Sequence, residues 1–321
     1  MKHLLLGGVA VLIGAIALSI GAVSLPIAEV VRGLTDPSGP AGSIIWNLRM
    51  PRIALAFLVG GGLSVSGAAL QALVRNPLAE PYLLGISGGA GLGAVAAIAL
   101  GLSGLFAVPA AAFGGALASS AVVYWVATVQ GARLEPRVLV LVGVVVSSFC
   151  GAITTAVLTM SEAAMLRNAF LWLLGGFGTA SWVSVMVFSV YALVPLAWLF
   201  AANRTLDLLS LGDESAEALG VRTEGAKALV FVTTALLTAA SVAVSGMIGF
   251  VGLVAPHAIR GWLGPLHRRL LPAAFIAGGT LLVLADAVAR TILRPAELPI
   301  GAVTALIGVP LFAVLLRRTL A

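Results

Sequence analysis

"AFLWLLGGFGTASWVSVMVFSVYALVPLAWLFA" fills positions 169–201 without a single charged side chain. A helix crosses the roughly 30 Å hydrocarbon layer of a bilayer in about 20 residues, so this run is too long for one plain crossing. The "GGFG" at 175–178 divides it. That division predicts a short half-helix, a glycine break and then a crossing helix. Irregular backbone at membrane depth survives only when packed in protein or lining a cavity, so the break also predicts a bundle around it.

Working outward, apolar segments of similar character recur at 4–23, 53–74, 82–101, 105–129 and 138–160, and again at 228–246, 248–264, 270–293 and 299–316. The chain is 60% hydrophobic and 9% charged, with a mean hydropathy of +1.13, far outside the soluble range. The expectation is an all-α integral membrane protein of about ten transmembrane helices, a single polytopic domain over 1–321. The first apolar run exceeds a signal-peptide core of about 7–15 residues and reads as the first transmembrane helix. The lone Cys150 allows no intramolecular disulfide and reads as a small core residue.

A sequence pI near 10.4 invites nucleic acid as a partner. The 18 Lys and Arg are instead scattered between apolar runs, which fits the positive-inside bias. With the N-terminus in the cytoplasm, twelve of those 18 fall inside and six outside, so both termini are assigned to the cytoplasm.

This orientation also makes "LGDESAEALG" (211–220) cytoplasmic. Five of the 12 acids lie between Asp207 and Glu224. Asp213 suits an N-cap, Asp213 and Glu214 suit the positive end of a short helix, and Gly220 suits the C′ position that closes it. Leu208, Leu209, Leu211, Ala216, Leu219 and Val221 supply an apolar side. A helix this short is not stable alone in water and must dock. The segment 205–222 therefore reads as a helix laid in a partner's groove, with a solvated loop as the blander alternative.

Other motifs are quieter. Gly85, Gly89 and Gly93 in "GISGGAGLG" are spaced for tight helix packing. "GVRTEGAK" (220–227) narrowly misses a phosphate-binding loop, its lysine one place late and Ala228 where a hydroxyl is needed. This chain is expected not to hydrolyse ATP. Asp286 and Arg290 form an i,i+4 pair near the end of the ninth span. Arg49 and Arg52 in "LRMPR" precede the second span on the outer face, where their guanidinium forks could grip carboxylates of a partner. The three His are scattered, no metal-ligand spacing occurs, and no nucleophile stands beside a base. "VSGAALQALVRNP" (65–77) and "VSGMIGFVGLVAP" (244–256) echo each other, as the halves of an inverted-repeat transporter do.

"LRMPR", "SGAALQALVRNPLAEPYLLGISGGAGLG", "WLLGGFG", "LLSLGDESAEALGV", "GFVGLVAPHAIR" and "LADAVARTILRPAELPIGAVTALIGVPLFAVLL" follow one another from about position 46 to 317. In this order they resemble the permease subunit of ABC importers for iron–siderophore, haem and cobalamin, the type II importers. The resemblance implies a homodimer with its pathway at the two-fold interface and inverted repeats relating helices 2–5 to 7–10. It also implies two cytoplasmic ATPase subunits and an extracytoplasmic substrate-binding protein, all in a bacterial inner membrane and in contact with lipid. By the same likeness, Leu208, Leu209, Leu211, Gly212, Asp213, Glu214, Ala216, Leu219 and Gly220 belong to a coupling helix seated on the ATPase. Arg49, Arg52 and Arg290 pair with acids of the binding protein, and Asp286 holds Arg290 from one turn below. Ser147, Ser148, Thr154 and Thr155 line the pathway, and "GARLEPR" (131–137) sits near the cytoplasmic gate. No cofactor or metal is expected on this chain, and ATP and magnesium sit on the partner ATPase. Among cargoes, "GGFG" and "NPLAEPYLLGISGGAG" lean towards cobalamin, with haem and ferric siderophores next. The alternative is an ion-coupled secondary transporter, which needs embedded acids. Only Asp286 among the acids falls within a span, with Arg290 beside it.

Overall fold

A computed structural model of the chain describes residues 2–21, 23–102, 104, 106–129, 133–293 and 296–320, with the backbone alone for 314–316 and 318–320. Gly131 and Ala132 of the expected gate turn, and Arg294 of the outer charge count, lie outside the described residues. Among the described residues the regular structure is helical throughout: α1 Lys2–Ser19, α2 Ile27–Thr35, α3 Pro40–Ile44, α4 Met50–Val74, α5 Ile86–Ala99, α6 Ala107–Thr128, α7 Pro136–Thr159, α8 Ala163–Leu173, α9 Trp182–Ala201, α10 Asn203–Ser210, α11 Asp213–Ala218, α12 Thr223–Ser245, α13 Val251–Leu263, α14 His267–Ala289 and α15 Ile300–Leu320. A π-helical turn, Ile45–Arg49, leads into α4, and a 3-10 turn, Pro81–Leu84, precedes α5.

Helix α4 is the central post, buried along most of its length and packed by α14, α12, α13 and α9. Small residues allow this. A Cβ on Gly60 would lie 2.3 Å from the Gly278 carbonyl oxygen of α14, and one on Gly61 would meet the Phe275 ring at 2.6 Å. Lipid tails are as apolar as Leu, so helices in a bilayer associate through such close backbone packing. The expected Gly85–Gly89–Gly93 seam behaves likewise. A Cβ on Gly89 would stand 2.2 Å from the Gly115 carbonyl oxygen of α6, and one on Gly93 would stand 2.1 Å from that of Ala111.

The long apolar run at 169–201 divides as its glycines predict, into half-helix α8 and crossing helix α9. The Gly175 backbone lies in the left-handed region at φ +71°. Three bonds from other segments satisfy the break: the Gly176 N–H donates to the Ser245 carbonyl at 2.8 Å, Ile300 donates to Gly175 at 3.1 Å, and Gly301 donates to Leu174 at 3.1 Å. The irregular backbone is thus packed in protein.

The expected count of ten full crossings is looser in the structure. Seven helices among the described residues are long and apolar enough to span: Lys2–Ser19, Pro40–Val74 (α3, the π turn and α4 together), Ala107–Thr128, Pro136–Thr159, Trp182–Ala201, Thr223–Ser245 and His267–Ala289. The expected span 82–101 becomes a 3-10 turn followed by the 14 residues of α5, about 21 Å of helix. The expected span 248–264 becomes the 13 residues of α13. These two short helices begin at irregular turns that bond to each other. The Tyr82 hydroxyl donates to the Ile248 carbonyl at 3.0 Å and accepts the Ile248 N–H at 2.9 Å, while Glu80 accepts the Phe250 N–H at 2.5 Å. Because each turn is sealed by the other, neither helix has to reach the full thickness of a bilayer.

This arrangement revises the V-S-G echo. The helices α4, α5, α6 and α7 have counterparts of similar length and order in α12, α13, α14 and α15, as a repeat requires. Residues 65–67, however, lie inside α4, whereas 244–246 end α12, so the two triplets are not equivalent positions. Helices α2 and α3 fall in a stretch to which the apolar-length criterion assigned nothing.

Gly67 marks the tightest approach to another helix's backbone in the central packing, because a Cβ there would sit 1.8 Å from the Gly252 carbonyl oxygen of α13. Gly67→Val is expected to prevent recovery of monodisperse protein in detergent. Gly114→Val, facing nothing within 4 Å, is expected to purify and melt like the native chain. Equal yields for the two would mean that α4 and α13 do not approach this closely.

Candidate functional site

Two sites form at opposite ends of α4. Near its C-terminal end lie α10 and α11. Gly212, at φ +105°, turns the chain between them. Gly212, rather than Asp213, takes the N-cap position, and no side chain caps α11. Asp213 is the first helical residue, and its carboxylate is held 3.1 Å from the Lys227 ammonium. The other end of α11 closes as the sequence predicts. Gly220 (φ +86°) donates to Glu217 at 2.9 Å and Val221 donates to Ala216 at 3.0 Å, the paired bonds of a Schellman motif.

The expected apolar side of this segment divides in two. Leu209 and Ala216 are buried against the chain itself, and Leu208 is half-buried. The two buried residues hold α10 and α11 to the bundle, while Leu208 borders an open cavity with Leu211. Leu211 and Leu219 are 64% and 60% exposed and project from the bundle, beside the exposed Glu214. Asp207 anchors α10 from behind, its Oδ1 accepting the His267 backbone N–H at 2.9 Å and lying 2.6 Å from the ring Nδ1.

At the other end, Arg49, Arg52 and Arg290 line one cavity of about 330 Å³ together with Phe177, Gly178 and Glu297. The sequence leads one to expect an open patch. The structure buries Arg49 and Arg290 and leaves Arg52 13% exposed, because each already has partners. Arg49, at the end of the π turn, donates to the carbonyls of Leu18 and Val23. Arg52 donates to Asp286 Oδ1 from Nη2 at 2.8 Å and grips Glu297 with two bonds, at 3.1 and 2.8 Å. The expected Asp286–Arg290 pair is present, with Nε 3.0 Å from Oδ2. That N–H is not aimed at the oxygen and makes no hydrogen bond, so the contact is a Coulombic pair. Asp286, at 1% exposure, therefore neutralises two arginines. The one acid within the expected apolar spans is thus already committed to its own arginines.

Between the two sites runs α7. Ser148 and Thr155 lie on its open face with Val144, Val145 and Phe149, and Ser147 is half-buried. Thr154 does not face outward. It is buried, and its hydroxyl donates to the Cys150 carbonyl at 2.8 Å. Near the start of α7 opens a cavity of about 950 Å³ lined by Arg75, Arg133, Arg137, Val144 and Asp213, which adjoins the acidic segment. Among the described residues no group of three His, Cys, Asp or Glu is placed to hold a metal.

Two participants escape the sequence reading. Lys227 was visible only as the misplaced lysine of a failed nucleotide motif, although a lysine inside "AKALVFV" with Glu224 three residues before it signals a buried pair. Glu297 carries no signal, because its partner Arg52 lies 245 positions away.

The FecCD transport family model matches residues 9–318. A cobalamin import system permease, BtuC, from Halobacterium salinarum is 42% identical, covering 85% of this chain and 73% of its own. A hemin transport system permease, HmuU, from Yersinia pestis is also 42% identical, covering 85% and 83%. An ABC transporter permease, YvrB, from Bacillus subtilis is 41% identical over 86% and 79%. Among solved structures, one described as an inward-facing metal-chelate type ABC transporter superposes with a TM-score of 0.89 at 34% identity over 99% of both chains. With the helical bundle, the broken spans and the match over nearly its whole length, the chain belongs to the FecCD transport family, as a multi-pass ABC permease subunit and not an enzyme.

Proposed function

We propose that this chain is the transmembrane subunit of an ATP-driven importer that passes a bulky metal chelate from a binding protein into the cytoplasm. Cobalamin is the first candidate, with haem and ferric siderophore close behind. The observation that carries this reading is the placement of the two sites on one rigid post. The 25 residues of α4, about 37 Å of helix, begin at the arginine cavity and end at Arg75, beside Gly212 of the acidic segment. A bundle so arranged can receive a partner at each end. Lys2 donates to the Trp262 carbonyl at 3.0 Å, which puts the start of α1 at the acidic end, in keeping with a cytoplasmic N-terminus. The open face of α7, with Ser148 and Thr155, suits a second copy and a weakly binding pathway between the two. The permeases with cobalamin and hemin in their names are equally similar to this chain, so substrate is decided by transport. Cells lacking the gene, with and without complementation, would be offered labelled cobalamin, haem and a ferric siderophore. Selective loss and rescue of one compound supports the reading, and normal uptake of all three in the deletion strain defeats it.

The arginine cavity is assigned to an acidic side chain of the binding protein. Arg52 and Arg290 also neutralise Asp286, so reversing all three arginines would confound docking with folding. Arg49 bonds only to carbonyls, which makes Arg49→Gln the cleaner variant. It is expected to weaken docking by about 2 kcal/mol or more, most at low ionic strength where screening is least. Glu297→Gln is expected to tighten docking, because Glu297 occupies the fork of Arg52. Affinities measured on immobilised permease at two salt concentrations check both, and two unchanged values would assign the cavity another purpose.

A further inference from the structure

Lys227 lies in the second turn of α12 and is 1% exposed. Its ammonium meets Glu224 Oε1 at 2.5 Å, the Leu134 carbonyl oxygen at 2.9 Å and Asp213 Oδ2 at 3.1 Å. Two of its three donors go to Leu134 and Asp213, and Glu224 completes the set as a close ion pair. The other oxygen of Glu224 accepts the Leu134 N–H at 2.8 Å. Both backbone groups of Leu134 are thus held by α12, two residues before α7 begins.

The start of α7 is packed through Pro136 and Leu139 but lacks a side-chain cap. Its N-cap, Glu135, makes no side-chain capping bond, and Pro136 follows as the first helical residue. The Lys227–Glu224 pair serves instead. One buried cation therefore joins the first residue of α11, the base of α12 and the run-in to α7. The only other ion pair between these stretches among the described residues, Arg133 to Glu217 at 3.7 Å, is exposed and contributes little. A displacement of α11 reaches α7 through Asp213, Lys227 and Leu134, across short contacts centred on a buried ammonium, its carboxylate partners Asp213 and Glu224 being 25% and 46% exposed.

We propose that Lys227 is the positioning residue that transmits movement of α11 to α7. The proposal rests on the reading that α11 seats on the ATPase and α7 borders the pathway. A lysine that merely stabilises the fold would, when replaced, lower assembly, ATP hydrolysis and transport together. A lysine that transmits movement would, when replaced, separate hydrolysis from transport.

The test uses the permease with its co-purified ATPase and binding protein in vesicles, and as cargo the compound identified by complementation. In Lys227→Met, ATP hydrolysis is expected to stay near the native rate while uptake per ATP falls about 5- to 150-fold, the usual span of a coupling between sites. Lys227→Arg, which keeps the charge and the donors, is expected to recover most of the coupling. Glu224→Gln, altering the partner that also holds the Leu134 N–H, is expected to give the same pattern more weakly and stands in if Lys227→Met does not fold. Native uptake per ATP in both variants overturns the proposal, and so does a proportional fall of hydrolysis and uptake. Leu219→Asp measured alongside separates the premise: if that variant still holds the ATPase and transports, the seating of α11 is wrong whatever Lys227 does.

Discussion

Asp286→Ala is expected to be the most destabilising single substitution at the arginine end, lowering stability by about 3–5 kcal/mol, the cost of removing one member of a buried ion group. Asp286 is 1% exposed and lies between Arg52 and Arg290. Arg52 retains Glu297, but Arg290 is left with one long bond to the Ala17 carbonyl, 3.5 Å, and with Glu297 acting on it only from beyond ion-pair distance. Desolvated guanidinium without a partner is what makes such a deletion costly. A thermal melt of the detergent-solubilised chain reads the effect. The triple variant Asp286→Ala, Arg52→Met, Arg290→Met is expected to regain much of the loss, because it removes the stranded charges together with their partner. A melt of Asp286→Ala equal to the native one would mean that the arginines do not depend on this carboxylate. The same reasoning bears on transport: loss of uptake in Asp286→Asn reports ion coupling only if the variant melts normally.

The fold was legible where it depends on length and on glycine. Uncharged runs mark the spans, "GGFG" marks the break at 175–178, and the Gly85–Gly89–Gly93 spacing marks the seam with α6, because these are local properties of a helix. The two short helices α5 and α13 were less legible. Their apolar runs look long enough to cross, and only the tertiary bonds of Glu80 and Tyr82 to residues 248–250 show that the ends of those runs are turns. The sites follow the same division. Gly220 closes α11 through local backbone geometry and was predictable. Asp213 was assigned to capping because the sequence does not show Lys227 reaching back to it across 14 positions. Arg49, Arg52 and Arg290 were found as charges, and helical spacing joined Asp286 to Arg290, but no spacing rule connects Asp286 to Arg52 or the arginines to the carbonyls of Ala17, Leu18 and Val23 that help to bury them.

Leu219→Asp is expected to leave the bundle folded and to abolish ATP-driven uptake. The side chain at position 219 is 60% exposed, while the Leu219 N–H makes its bonds to Ser215 and Ala216 through the backbone alone. A melt should therefore stay within about 0.5 kcal/mol of native, as for other surface changes. At a partner surface the same change is severe. Burying a leucine contributes about 1.5–3 kcal/mol, and an unpaired carboxylate in its place adds the cost of desolvating a charge. At 1.4 kcal/mol per tenfold, even about 3 kcal/mol weakens ATPase association by two orders of magnitude. The exposed Leu211, at the other end of α11 across Gly212, is expected to give a similar result, whereas Glu214→Gln, which changes charge without removing apolar surface, is expected to be mild. Co-purification of ATPase and uptake into vesicles read all three. If Leu219→Asp transports normally, Leu219 is better placed in the headgroup region of the bilayer, where an exposed leucine beside acidic neighbours contacts lipid and its replacement by aspartate costs transport nothing.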